Sequence, residues 1–363
     1  MLSFAAWIFL IVEFGTNISA PRLANEGSLN NISALVFSVK FLTSIIVMIF
    51  GLVFALFSSF PADTIFYGII LGIAQGFIPT WFYIYKDRLH IIIMADFVVQ
   101  ISILLISFFI SIEVIDIKFL IPLYVVLFSL YSLIANYTVF LENGFKRSDF
   151  IMSEVFRFSY DSRGLILNRI VISLYTALNS FIVYVLLGAS AAAVFSNSEK
   201  LCKAINVVND TGVKSYYGKL IKISEWEKKK YLVTRLGFIL LFLNLLYVII
   251  LRVFGSPIVD LLFGQQYDEV KRVITVYSLV MIPISIMYAL GSFWLNSIGR
   301  EDVITVSILV SVAIGIPFIL FFGMRFGVIG YALGVVMLES LNLLIMSIQT
   351  VRSGLWPFKF SIR

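Results

Sequence analysis

The sequence predicts an all-α polytopic membrane protein, with about 11 transmembrane helices in two bundles around a central cavity. Three observations carry this. Sixty per cent of the 363 residues are hydrophobic. Only 13% are charged, against about 25% in soluble domains. Apolar windows of about 20 residues, enough to cross the hydrocarbon core as helix, recur along the chain. Aromatic residues make up 16%, with 35 Phe among them, which fits a lipid-facing surface. Several chemistries are excluded. Cys202 stands alone and cannot form an intrachain disulfide, and one cysteine with one histidine cannot supply a structural zinc site. Neither GxxxxGKS/T nor GxGxxG occurs, so no cofactor or metal is expected.

The windows fall at 2–24, 35–57, 65–85, 91–112, 119–141, 165–187, 189–210, 232–254, 271–297, 303–323 and 328–350. The first has an apolar run only from Leu2 to Val12, and the seventh begins with small residues, Ala189 to Ala193. The connections after spans 1, 3, 5, 7 and 9, with the C-terminal tail, hold eighteen Lys and Arg, from Lys86 to Arg363. The alternate connections hold five: Lys118, Arg252, Lys271, Arg272 and Arg325. Positive charge stays on the cytoplasmic side, so the C-terminus is expected there and Met1 outside. Met1 to Val12 has neither a basic n-region nor a cleavage site, which points to a further helix upstream. The run Lys228-Lys229-Lys230 reads as a topology determinant touching anionic lipid, and no nucleic-acid partner is expected. His90 reads as solvated.

The polar connection 142–164 divides the chain into an N-terminal bundle, 1–145 (spans 1–5), and a C-terminal bundle, 146–363 (spans 6–11). A weak repeat supports the division: Trp81 to Arg88 and Phe293 to Asp302 are both span ends with Trp, followed by a mixed-charge turn.

Polar stripes interrupt several spans. At about 100° per residue, Arg169, Ser173, Thr176, Ser180 and Tyr184 share an arc of about 80° in span 6. Thr275, Ser278, Ser285, Ser292 and Asn296 cluster in span 9, and Ser129, Ser132 and Asn136 in span 5. Glu13, Thr16 and Asn17 stand at i, i+3 and i+4 in span 1. Lone hydroxyls in membrane helices usually serve packing, at about 0.6 kcal/mol each. Arg169 and Glu13 are harder to place, since an ionisable side chain near the centre costs about 2.5–3.5 kcal/mol on insertion scales. A hydrated cavity between the halves would relieve that cost, and tight polar packing is the competing account. Glu339, beside Asn342 in span 11, and Asp96, with Gln100 at i+4, are the candidate ion-coupling groups. For Asp96 a structural hydrogen bond is equally open. Arg22 and Arg169 either snorkel to the headgroups or grip an anionic group bidentately. Gly72–Gly76 and Gly330–Gly334 are GxxxG pairs expected to let helices pack closely.

The segment from Glu13-Phe14-Gly15-Thr16-Asn17 to Pro21-Arg22-Leu23-Ala24 resembles the end of the second helix in bacterial O-antigen and polysaccharide flippases of the Wzx type. Pro79-Thr80-Trp81-Phe82-Tyr83 is similar to their P-x-W-F/Y segment. Leu174 to Asn179, Val185 to Gly188 and Asn197 to Lys200 resemble their seventh-to-eighth helix passage. The similarity runs along essentially the whole chain, but the family's first helix has no counterpart. That family belongs to the multidrug/oligosaccharidyl-lipid/polysaccharide exporter superfamily, with twelve or more helices in two bundles.

The resemblance implies a flippase, not an enzyme, that moves an undecaprenyl-diphosphate-linked oligosaccharide, an O-antigen or capsule repeat unit, across the bacterial inner membrane by alternating access. Membrane lipids and the polysaccharide polymerase machinery are the implied partners. The sugar needs a polar path and the diphosphate needs cations, which makes Asn17, Arg22, Arg169, Ser173, Thr176, Asn179, Ser292 and Asn296 the substrate-binding candidates. Two alternatives remain. A multidrug or cation antiporter of the same superfamily calls for a mainly acidic cavity. A membrane O-antigen polymerase would carry a large exterior loop, whereas the longest exterior connection, 255–270, has about 16 residues.

Overall fold

The computed structural model describes residues 2–57, 61–113, 116–143, 152–161, 171, 179–263 and 268–358. Among these, all regular structure is helical, and the chain forms two compact units, Met1–Ile166 and Leu167–Arg363.

The first unit contains Leu2–Glu13 (α1), Thr16–Glu26 (α2), Leu29–Phe57 (α3), Ala62–Phe77 (α4), Thr80–Tyr85 (α5), Leu89–Ser111 (α6), Leu120–Asn143 (α7) and Met152–Asp161 (α8). Helix α8 packs on α3 within this unit. Helix α3 illustrates the membrane logic. Val36, Val39, Val47 and Gly51 are buried on one side, while Phe41, Ile49, Leu52 and Leu56 on the other are 55%, 56%, 54% and 82% exposed. Such a face would aggregate in water and is ordinary in lipid.

The second unit contains residues 179–187 (α9), Ala189–Lys203 (α10), Asn206–Lys222 (α11), Trp226–Phe263 (α12), Asp268–Tyr277 (α13), Met281–Met287 (α14) and Glu301–Arg352 (α15). Tyr277, Tyr331, Phe195 and Trp294 are fully buried in its core.

Eight helical stretches among the described residues are long and apolar enough to span a membrane. One of them, α15, contains two predicted spans that fold back at Gly327 (φ 63°, ψ −148°), backbone geometry open essentially to glycine alone. The sixth predicted span lies outside the described residues up to 178, except for position 171. The seventh is helical, as α10 and the start of α11, but is not among these eight; Lys214, in a connection by sequence, lies within α11.

Both GxxxG pairs pack as expected. A Cβ on Gly72 would stand 2.6 Å from the Ala5 carbonyl oxygen, and one on Gly76 2.6 Å from Val12 Cβ, so α1 and α4 touch backbone to backbone. A Cβ on Gly334 would stand 2.7 Å from Ile319 Cα across the α15 fold-back.

The first predicted span is present as Phe4–Asn25, but Phe14 (φ 53°) and Gly15 (φ 71°) interrupt it. The span 9 stripe does not form a water-facing strip. Ser278 and Ser285 are fully buried and bond to carbonyls of their own helix, and Asn296 is 7% exposed. Tyr288–Leu295 also winds as a wider π-helix, so a wheel drawn at α-helical pitch loses register before Ser292 and Asn296.

Candidate functional site

In the first unit, two broken helices lie side by side. The first break, between α1 and α2, leaves the leading N–H groups of α2 without helical partners. The Glu13 side chain supplies them: Gly15 N donates to Oε2 at 3.1 Å and Asn17 N to Oε1 at 2.8 Å, while the Thr16 hydroxyl donates to the Glu13 carbonyl at 2.7 Å. Glu13 is fully buried. Its carboxylate sits at the positive end of α2, which offsets part of the cost of burying charge. The i, i+3, i+4 pattern of Glu13, Thr16 and Asn17 is therefore a capping arrangement.

The second break separates α4 from α5 at Ile78 and Pro79, where proline has no N–H to give. Here carbonyls are orphaned. Asn136 on α7 donates to Phe77 O at 3.0 Å, and the Lys40 ammonium on α3 donates to Ile78 O at 3.1 Å. Lys40 is only 2% exposed. The breaks are neighbours, because a Cβ on Gly76 would stand 3.3 Å from Glu13 N as well as against Val12. Paired half-helix ends of this kind are where membrane transporters place ions and substrates.

The sequence-derived candidates are distributed over both units. Asn17 and Arg22 lie on α2 and are half-buried, and Asn17 Oδ1 is buried without a hydrogen-bond partner among the described residues. Asp96 and Gln100 are exposed on α6. In the second unit, Asn179 is 2% exposed and accepts the Tyr331 hydroxyl at 3.0 Å. Glu339 and Asn342 are buried on α15, with Asn342 Oδ1 lacking a partner among the described residues. Ser292 is half-buried, and the Asn296 carbonyl accepts the Tyr217 hydroxyl at 3.3 Å. Arg169, Ser173 and Thr176 lie outside the described residues.

Sequence reasoning missed Lys40 and the partners of Glu199. Glu199 Oε1 accepts from Lys203 at 2.7 Å and from the Tyr277 hydroxyl at 3.1 Å, about 15 Å along α10 from its first residue. Phe195 meets both Tyr277 and Tyr331 edge-on, at 5.4 and 5.0 Å between ring centres. A polar series from Lys203 to Asn179 thus runs through an aromatic core. Nearby, Asn209 and Asn244 exchange amide hydrogen bonds of 3.2 and 2.9 Å with both side chains fully buried.

No family model matches the chain, and no curated protein is similar to it in sequence. Solved structures are similar in fold. A mutant of the Vibrio cholerae MATE transporter VcmN superposes with a TM-score of 0.76 at 16% identity, covering 97% of this chain and 87% of that one. A multidrug resistance MATE family transporter of the MOP superfamily, in its outward-facing conformation, gives 0.73 at 12% identity, covering 97% and 86%. A MOP superfamily transporter from Pyrococcus furiosus, described by the reverse polarity of its binding pocket, gives 0.69 at 11% identity, covering 97% and 84%. The chain therefore has the fold of the MATE transporters of the MOP superfamily.

Proposed function

We propose that the chain is a membrane transporter that works by alternating access. The observation that carries this reading is fold similarity over nearly the whole chain to multidrug resistance MATE transporters captured both outward-facing and inward-facing. The broken helices at Glu13 and at Ile78–Pro79 support it, since transporters place ligands at the ends of such half-helices. With these neighbours, a multidrug or cation antiporter is the first reading of the cargo. Glu13, Glu339 and Glu199 would be its acidic groups.

A second reading, the flippase of undecaprenyl-diphosphate-linked oligosaccharide at a bacterial inner membrane, is favoured by a specific observation. Lys40 and Arg22 both lie within helices of the first unit, and cations there suit a diphosphate better than a cationic drug. Arg169 is a further candidate cation read from the sequence.

Proteoliposomes holding the purified chain test both. A cationic dye driven by an imposed proton or sodium gradient reports the antiporter. A lipid-diphosphate oligosaccharide with a fluorescent sugar reports the flippase. Dye movement that stops in Glu13→Gln is expected on the first reading. Sugar exposure lost in Arg169→Ala and partly kept in Arg169→Lys is expected on the second. Absence of both movements sinks the transporter proposal.

A further inference from the structure

We propose that the first unit carries a binding site for an amphipathic organic anion, with the acid group on the Lys40 ammonium and the apolar body along α7. The inference deepens the transporter reading by naming a ligand class, and rests on that reading only for the idea that the ligand is cargo.

A cavity of about 320 Å³ opens between α3 and α7 beside the α4–α5 break. That is the lower end of the range for small-molecule pockets, about 300–1,000 Å³. Its walls are mainly apolar and aromatic, with Phe37, Phe77 and Trp81 among them. Its polar groups are few: Ser33, Lys40, Asn136, Tyr137 and the Trp81 indole. No Asp or Glu is among the described residues that line it.

Charge argues for an anion. An ammonium has three N–H donors, and one of those on Lys40 goes to the Ile78 carbonyl. A carbonyl and a helix end compensate a buried cation only in part, because pairing normally takes an opposite charge. Asn136 cannot be the anion's main donor, as its amide N–H groups bond to Phe77 O and Ser132 O. Lys40 is thus the cation of the wall.

Shape argues for an amphiphile. The α7 rim is formed by Leu133, Tyr137 and Phe140, which are 67%, 60% and 48% exposed. An alkyl or aromatic body leaving the cavity would lie along them, while at the Ser33 end Asn143 Nδ2 donates to the serine hydroxyl at 2.7 Å. The competing account is that Lys40 only caps α4. A pure cap predicts lost stability when Lys40 is replaced and no preference among ligands.

Trp81 provides the readout, since bromine quenches indole fluorescence on contact. The chain has five Trp, so the difference between the full-length protein and its Trp81→Phe variant isolates the cavity signal. The probes are 10-bromodecanoate, 10-bromodecanol, 10-bromodecyl-trimethylammonium and bromoacetate, with the chain in detergent. The expected result is saturable quenching by the decanoate, at least about tenfold tighter than by the alcohol or the ammonium. Bromoacetate, which has the acid without the body, should not saturate the signal. Lys40→Met should bring the decanoate to the level of the alcohol, and Lys40→Arg should retain most of the preference. A decanoate no tighter than the alcohol overturns the proposal, as does a preference that survives Lys40→Met or a bromoacetate as strong as the decanoate. If Lys40→Met fails to fold, the probe series on the native chain and on Lys40→Arg decides. Binding is read without transport, so an inert chain in vesicles that still binds decanoate defeats the transporter reading alone.

Discussion

Tyr331 reaches Asn179 across 152 positions of sequence, its hydroxyl donating to Oδ1 at 3.0 Å where both side chains are buried. Asn179 Nδ2 has no partner among the described residues, and this bond is the side chain's polar contact there. Tyr331→Phe should therefore cost about 1–3 kcal/mol, the penalty of stranding a buried polar group. The double variant Tyr331→Phe with Asn179→Leu removes both polar ends and should recover much of the loss. Thermal unfolding in detergent measures this. An unshifted melting temperature for the single variant would mean that the bond does not hold α15 to α9.

Glu13 supports α2 through both carboxylate oxygens, and its two variants should therefore fall in order. Glu13→Gln keeps one acceptor oxygen but turns an amide donor toward a second backbone N–H, so it should lose about 1 kcal/mol. Glu13→Ala leaves both N–H groups uncapped in a buried place and should lose about 2 kcal/mol. Melting temperatures should run wild type, Gln, Ala. A Gln variant as stable as wild type would show that the carboxylate is not what organises the break.

Much of the fold is legible because hydrophobicity and glycine act locally. The apolar windows other than the sixth and seventh became spanning helices, and Gly72 and Gly76 placed α1 against α4, because the absence of a side chain is itself the contact. The breaks were harder to see. Glu13-Phe14-Gly15-Thr16 contains a glycine and a cap-forming residue, a signal that a 20-residue average conceals. Lys40 sits in a helix whose apolar window has a mean hydropathy of 2.4, so one lysine hardly lowers the score. Its partner, Ile78, is 38 residues away. The span 9 stripe misled because serine hydroxyls can bond to carbonyls of their own helix and need no water, and because the π-helical turn at Tyr288–Leu295 changes which residues share a face. At Glu199 the window 189–210 shows a span that begins with small residues but not the charge's partner, Tyr277, which stands 78 positions away.

The Glu199–Lys203 pair yields a prediction that separates pairing from burial. The side chains are 14% and 24% exposed, between a surface pair worth at most about 1 kcal/mol and a fully buried pair whose disruption costs about 3–5 kcal/mol. Lys203→Met leaves Glu199 with the Tyr277 hydroxyl as its remaining donor in this pair of contacts, and should lower stability by about 2 kcal/mol. Combining it with Glu199→Gln removes the stranded charge, and stability should return to near wild type. Exchanging the two, Glu199→Lys with Lys203→Glu, keeps a pair but sets a carboxylate in the last turn of α10, where the helix dipole opposes it. The exchanged chain should be less stable than wild type and more stable than Lys203→Met. Melting temperature in detergent measures all three variants. An exchanged chain no better than Lys203→Met would mean that Tyr277 and the α10 terminus, rather than the ion pair, hold Glu199 in place.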